Sequence, residues 1–266
     1  AEAIAALTER DSFLHIASYR KLFQKHQDGE KEGQYVRLDF ADLLNLDALD
    51  ARLRSAFQSV AYDIERVAKA RLIERISLDD SEDGYAIVAE FMASQQKRYR
   101  NSIESNLKVR MVEDAYTGAL IARYAADMPV WVFLEVVSFG ALLAFYLFCA
   151  ERWNDEEMRQ EHYAMKGVKA VRNCCSHGAC VVNGFDSEHD ADTRASSIAY
   201  EWLDSKGLER SGARKAKLRN RRIQQLLETL VMFERMGCAS SSRYSVDDLR
   251  GLKGSISEVC EKYGEQ

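Results

Sequence analysis

An all-α protein is predicted, and three observations predict it. The 266 residues hold one proline against fourteen glycines, so little interrupts a helix. Ala, Leu, Glu, Lys and Arg, the better helix formers, are abundant. Apolar residues recur at intervals of three and four, without the alternation and turn dipeptides that mark strands and hairpins. The length allows one domain or two small ones, and a single all-helical domain over residues 1–266 is expected. Net charge is -5 and the pI about 5.7, so bulk charge does not announce a polyanion binder, although a local basic face can still serve as one. Cys149, Cys174, Cys175, Cys180, Cys238 and Cys260 have no framework spacing, and the start carries no signal-peptide pattern. Free thiols and a cytoplasmic setting are therefore expected.

In chain order, residues 1–28 suit one or two helices that end near the turn DGEKEG, with Ile4, Leu7, Phe13, Leu14, Ile16, Leu22 and Phe23 at mostly helical spacing. The longest periodic run follows. Leu46, Leu49, Leu53, Phe57, Val60, Ile64, Val67 and Arg71 step by three and four, and Asp39 or Asp42 can cap the start. After the acidic turn LDDSEDG, YAIVAEFM begins a shorter helix, SQQKRYRNSIE is polar and basic, and one helix is read through VRMVEDAYTGALIARYAA. A new helix starts at WNDEE, with Asn154 as cap and Glu157 at capping-box spacing. Residues 185–197 read as a polar connection. Helices are then expected near IAYEWLDSKGLE, over about 212–236, and over 245–262 with Ser245 as cap.

Met128 to Ala150 is the most apolar stretch and reads as the central buried helix, opened by Pro129 at a position where a missing N–H costs nothing. It is long enough to cross a bilayer, but Glu135 sits within it and the flanks lack a positive-inside bias. A core helix is expected and no membrane partner.

The helix after it ends in RNCCSH, Arg172 to His177. Asn173 and His177 are four apart and neighbours on one helix face, and the long side chain of Arg172 can fold toward them. A guanidinium grips two phosphate oxygens, and a histidine takes or gives a proton near neutrality. Such groups suit attack of a ribose 2′-OH on the adjacent phosphate, a route with no need for a metal or other cofactor. Spacing alone leaves a second reading open, a structural histidine bonded to a backbone carbonyl. Zinc is not expected from Cys174, Cys175, His177 and Cys180, because adjacent helical cysteines point about 100° apart.

Four segments in order resemble the Abi-like (abortive infection) proteins, helical members of the wider HEPN superfamily. They are LHIASYR at 14–20, LDARLRSAFQSVAYDIERVAKAR at 49–71, PVWVFLEVVSFG at 129–140, and RNCCSH with the following Asn183. The resemblance runs from about His15 to Asn183. It implies a HEPN-like helical bundle over about 39–184 with additional N- and C-terminal helices, the latter forming a basic extension over about 198–263. It implies Arg172, Asn173 and His177 as catalytic residues of a metal-independent endoribonuclease in a phage-defence or toxin-like system, with Trp131, Glu135, Ser138, Phe139, Gly140 and Asn183 as structural support. RNA is the implied partner, with a structured small RNA as a regulator. A homodimer is expected, because one histidine cannot easily serve both sides of the phosphorus; Val168, Val171 and Cys175 are offered as part of its self-complementary patch. DNA, which lacks the 2′-OH, is not expected to be cut. The alternative is a non-catalytic module of the same fold that binds a structured small RNA or a partner protein.

The chain departs from the family after His177, where GACVVN stands in place of an R.WN segment. A replacement grip is offered by RKAKLRNRR, in which Arg214, Lys215, Lys217, Arg219, Arg221 and Arg222 make six basic residues of nine. Arg98 and Arg100, either side of Tyr99, are further candidates for RNA contact.

Overall fold

The computed structural model describes residues 13–185 and 196–263. Those residues form thirteen α-helices and one 3-10 turn, with no strand among them; the fold is all-α. The polar connection read at 185–197 and the first part of the N-terminal helical stretch fall largely outside the described residues. The chain divides into two compact units, one made of the described parts of Ala1–Tyr62 and Ala170–Gln266, the other of Asp63–Lys169.

The first unit contains α1 (Phe13–Ser18), the 3-10 turn Tyr19–Leu22, and the first part of α2 (Phe40–Ser77). It also holds the end of α8 (Glu156–Ser176), then α9 (Ser197–Ser205), α10 (Gly212–Leu218), α11 (Arg221–Arg235), α12 (Cys238–Ser241) and α13 (Arg243–Tyr263). Asp39 caps α2: its carboxylate accepts from Ala41 N at 3.1 Å, while Asp42 reaches back to accept from Asp39 N at 3.2 Å. The predicted stripe is buried at Leu46, Leu53, Phe57 and Val60. Leu53, Ala56 and Phe57 pack with Val171 from α8, Val181 and Leu252 from α13, and the half-buried Cys174, Cys175 and Leu226 join them.

The second unit holds the rest of α2, then α3 (Ala86–Ser94), α4 (Lys97–Glu113), α5 (Gly118–Arg123), α6 (Val130–Val136), α7 (Phe139–Arg152) and the first turns of α8. Along this part of α2 the buried stripe runs through Ile64, Ala68, Leu72 and Ile76 instead of Val67 and Arg71, the drift of a straight helix against a seven-residue repeat. Its core is aromatic. Phe91 meets Phe133 at 5.7 Å, Phe145 at 5.2 Å and Phe148 at 5.6 Å between ring centroids, each edge-to-face.

Several expected elements are corrected. Met128 to Ala150 is two helices, because Val137 and Ser138 take extended conformations and the Ser138 hydroxyl accepts from Ala141 N at 3.3 Å to start α7. Among the described residues no helix is long and apolar enough to cross a membrane. The helix read through VRMVEDAYTGALIARYAA ends at Glu113; Asp114 then accepts from Tyr116 N, Thr117 N and the Thr117 hydroxyl, turning the chain into α5. The cap of α8 is Asp155, which accepts from Met158 N at 3.0 Å, and Asn154 instead takes the left-handed turn at φ 50°. The helix expected over 212–236 breaks at the buried Asn220, whose carbonyl side chain accepts from Arg222 N and Ile223 N. The last helix starts at Arg243, and Ser245 lies inside it, its hydroxyl 2.8 Å from that of Ser59.

Candidate active site

Why α8 stops where it does is a matter of one glycine. Gly178 takes φ +64°, its N–H donates to the Cys175 carbonyl at 3.1 Å, and Ala179 N donates to the Cys174 carbonyl at 3.0 Å. These two bonds make a Schellman motif, in which Gly is favoured because a Cβ is disfavoured at such φ. His177 is thereby the C-cap residue, with its N–H donating to the Asn173 carbonyl at 3.0 Å. The helix end presents Arg172 and Asn173 half-buried and His177 exposed. Arg172 Nη1 donates to Asn173 Oδ1 at 3.3 Å, so the guanidinium folds over the asparagine. The imidazole of His177 has no hydrogen-bond partner among the described residues, so the structural reading, a bond to a carbonyl, does not describe it. Ser176 secures the last turn: its hydroxyl oxygen lies 2.9 Å from the Arg172 carbonyl and 3.0 Å from Gln58 Oε1, either of which can accept its proton.

Behind the helix end stands a polar hub that sequence reasoning did not single out. Asp50 is fully buried, and its Oδ1 accepts from Val181 N at 2.9 Å and Val182 N at 3.0 Å. Its Oδ2 accepts from the Tyr19 hydroxyl at 3.1 Å and pairs with Arg54. Tyr19 also donates toward Asp47 at 3.2 Å, and His15 Nε2 lies 2.9 Å from the same carboxylate. Burial first, opposed by the Arg54 hydrogen bond and reinforced by Asp50, raises the Tyr19 phenol well above its ordinary value, so it stays a donor. The hub thus fixes the segment after the Schellman turn to α1 and α2. A readable signal existed: Asp50 falls on the apolar stripe of α2, where a carboxylate must find partners.

Asn183 and Gly184 are clasped from both sides. Asn183 Nδ2 donates to the Ser18 carbonyl at 3.1 Å, and Arg222 Nη1 donates to the Asn183 carbonyl. Asn220 Nδ2 donates to the Gly184 carbonyl at 2.6 Å. Gly184 has φ +78°, and a Cβ there would stand 3.4 Å from the Arg222 guanidinium. Of the basic run, Arg222 is brought to the segment that follows His177 by its bond to the Asn183 carbonyl. Arg214, Lys215, Lys217, Arg219 and Arg221 are exposed, with Arg214 Nη1 donating to the Glu209 carbonyl at 2.7 Å. Arg221 and Arg222 occupy the first turn of α11, where the helix dipole disfavours cations, so local helix stability does not account for them.

The cysteines around the motif pack. Burial raises the Cys174 and Cys180 thiols and, with Cys174 beside it, pushes Cys175 up to about 12. Among the described residues no group of three or more His, Cys, Asp or Glu is placed to hold a metal. Val168 and Val171 are buried, the latter in the core with Leu53 and Phe57, and Cys175 is packed against that core. The self-complementary patch expected from them is therefore not available to a second chain.

The other expected residues lie in the second unit. Ser138 caps α7, Phe139 is buried, and a Cβ on Gly140 would come 3.0 Å from Lys169 Nζ. Trp131 is 44% exposed and rests edge-on against Tyr85, while a Cβ on Gly84 would come 2.8 Å from its ring. Glu135 is exposed and makes no hydrogen bond or ion pair among the described residues. Arg98 is exposed, Arg100 lies 4.0 Å from Glu104, and Tyr99 donates to the Gly140 carbonyl at 3.3 Å. This unit also has a cavity of about 910 Å³, lined among others by Arg71, Arg75 and Trp153. Glu74, Asp79, Asp80, Asp155, Glu157 and Glu161 line it too, and six carboxylates against two guanidiniums repel a phosphate chain.

The fold and this helix end define an all-helical protein that carries an Arg-Asn-x-x-x-His constellation on an accessible C-cap. The family profile described as Abi-like protein matches residues 7–183, and the chain belongs to that family. Membership points to an abortive-infection, phage-defence context. No curated protein and no solved structure gives a significant match.

Proposed function

We propose that the chain is a metal-independent RNA endonuclease of phage defence, of the HEPN type, with Arg172, Asn173 and His177 as its site. One observation carries the reading: the three side chains share one accessible helix end, with the imidazole unbonded while the segment behind it is anchored through Asp50. His177 moves the proton of the 2′-OH or of the leaving 5′-oxygen, and Arg172 offsets charge on the phosphorane. Asn173 holds the guanidinium and can donate to a phosphate oxygen. The two protons move on opposite sides of the phosphorus, so two chains contribute one site, each with its own Arg172, Asn173 and His177. RNA is the substrate and DNA is not, for want of the 2′-OH.

The test is incubation of purified protein with mixed cellular RNAs in EDTA, followed by end-group analysis. Fragments with 2′,3′-cyclic phosphate and 5′-hydroxyl ends are expected. Cleavage lost in EDTA and restored by Mg²⁺ or Mn²⁺ overturns the mechanism. RNA that is retained but never cut favours the non-catalytic binding module.

A further inference from the structure

Between the end of α8 and α11 lies a cavity of about 250 Å³. Its walls are Ala170, Val171, Val181 and Leu226, and its rim includes Cys174, one turn before His177 on the same helix. Whole drug-sized ligands fill roughly 300–1,000 Å³, so this slot suits a single planar ring system. Two residues with polar side chains, Arg222 and Gln225, also line it. The Gln225 backbone carbonyl accepts from Thr229, but its side-chain amide has no hydrogen-bond partner among the described residues. Arg222 donates from Nη1 to the Asn183 carbonyl, lies over Gly184 and lines the slot, and its fork has further N–H donors beyond that one bond.

We infer that this slot is a nucleobase pocket, which takes the base next to the cleaved phosphate and sets sequence preference. Apolar walls accept the faces of a ring, an amide with both a donor and an acceptor reads its edge, and a guanidinium holds the attached phosphate. The rim thiols suit that role, since burial keeps Cys174 and Cys180 protonated and uncharged beside a ring. Its position decides which nucleotide is read. Cys174 and His177 are three residues apart and so neighbours on the helix surface, which places the base within one nucleotide of the reacting atoms. The inference rests on the proposed cleavage site, and it names the substrate feature that site selects.

The test uses the full chain and the four ribonucleoside 3′-monophosphates, with binding followed by calorimetry and backbone NMR shifts. One nucleotide should bind at least about 10-fold more tightly than the others, a difference of about 1.4 kcal/mol. Gln225→Ala should level the four affinities, and Ala179→Trp, which closes the exposed rim, should weaken all four. Cleavage sites mapped on random RNA should carry the preferred base. Equal binding of all four by wild type, or discrimination unchanged in Gln225→Ala, overturns the pocket. The two readings fail separately: selective nucleotide binding without RNA cleavage leaves the pocket standing and removes the nuclease, whereas cleavage at every base alike does the reverse.

Discussion

Asp50 Oδ1 accepts from both Val181 N and Val182 N, although 131 residues separate Asp50 from the first of them. One buried carboxylate of α2 therefore decides where the chain runs after His177 and Gly178. Asp50→Ala leaves the Val181 and Val182 N–H groups without their acceptor and takes one of two carboxylate acceptors from both the Tyr19 hydroxyl and the Arg54 guanidinium, which keep Asp47. Breaking a buried pair from one side costs about 3–5 kcal/mol, so the urea midpoint should fall sharply. Hydrogen exchange at Val181 and Val182 should rise in parallel. A variant with wild-type stability would show that the hub is not a tie.

Stability should also depend on pH through His162. Its Nδ1 lies 2.8 Å from the Leu143 carbonyl, which can only accept, so Nδ1 carries the proton. Nε2 is buried without a partner among the described residues. Burial first, then the charge of Lys166, hold the imidazole below its ordinary 6.5 against the pull of the Leu143 carbonyl. The unfolded chain takes up this proton near 6.5, whereas the folded chain does so only at lower pH. In that window the unfolded state binds more protons, so stability rises with pH. The contribution is complete above the unfolded value and is lost as pH falls toward the folded one. Urea midpoints at about pH 7.5 and about 5.5 should differ more in wild type than in His162→Asn; equal differences would contradict this.

Exposed Arg214, Lys215, Lys217 and Arg219 are free of the structural duty that Arg222 carries. Replacing these four with Gln should weaken RNA binding across sequences and flatten its salt dependence by about 0.7 in log–log slope for each phosphate no longer neutralised. Arg222→Gln should in addition lower the unfolding midpoint, because the Asn183 carbonyl loses its donor. An unchanged salt slope in the fourfold variant would mean that α10 is only a solvated face.

A shared site predicts dominance of inactive chains. With an excess of His177→Ala subunits, under conditions that exchange partners, activity per wild-type chain should collapse. Unchanged activity, or a fully active monomer by light scattering, would refute the two-chain site.

Helix class and most helix positions were legible because local periodicity and caps carry them, as Asp39 and the stripe from Leu46 to Ile64 illustrate. The break at Val137 and Ser138 was hidden by apolar residues on both sides, although Ser138 followed by a helical run is a cap signal. At the start of α8 the choice between Asn154 and Asp155 turned on a tertiary partner: Asp155 also pairs with Arg75 at 2.6 Å. Arg172, Asn173 and His177 could be placed on one helix end from spacing and from Gly178. The bond from Arg222 to the Asn183 carbonyl could not, since it joins residues 39 apart and no local pattern encodes it.

The central claim, that this helix end cleaves RNA through the ribose 2′-OH with His177 moving a proton, is tested most directly on a mapped substrate. An RNA oligonucleotide is prepared with a single 2′-deoxy nucleotide at the scissile position and compared with its all-ribose form, in EDTA, using wild type and His177→Ala. Wild type should cut the all-ribose strand and leave the substituted bond intact, and His177→Ala should cut neither. Cleavage of the deoxy-substituted bond by wild type, or an undiminished rate in His177→Ala, would contradict the account.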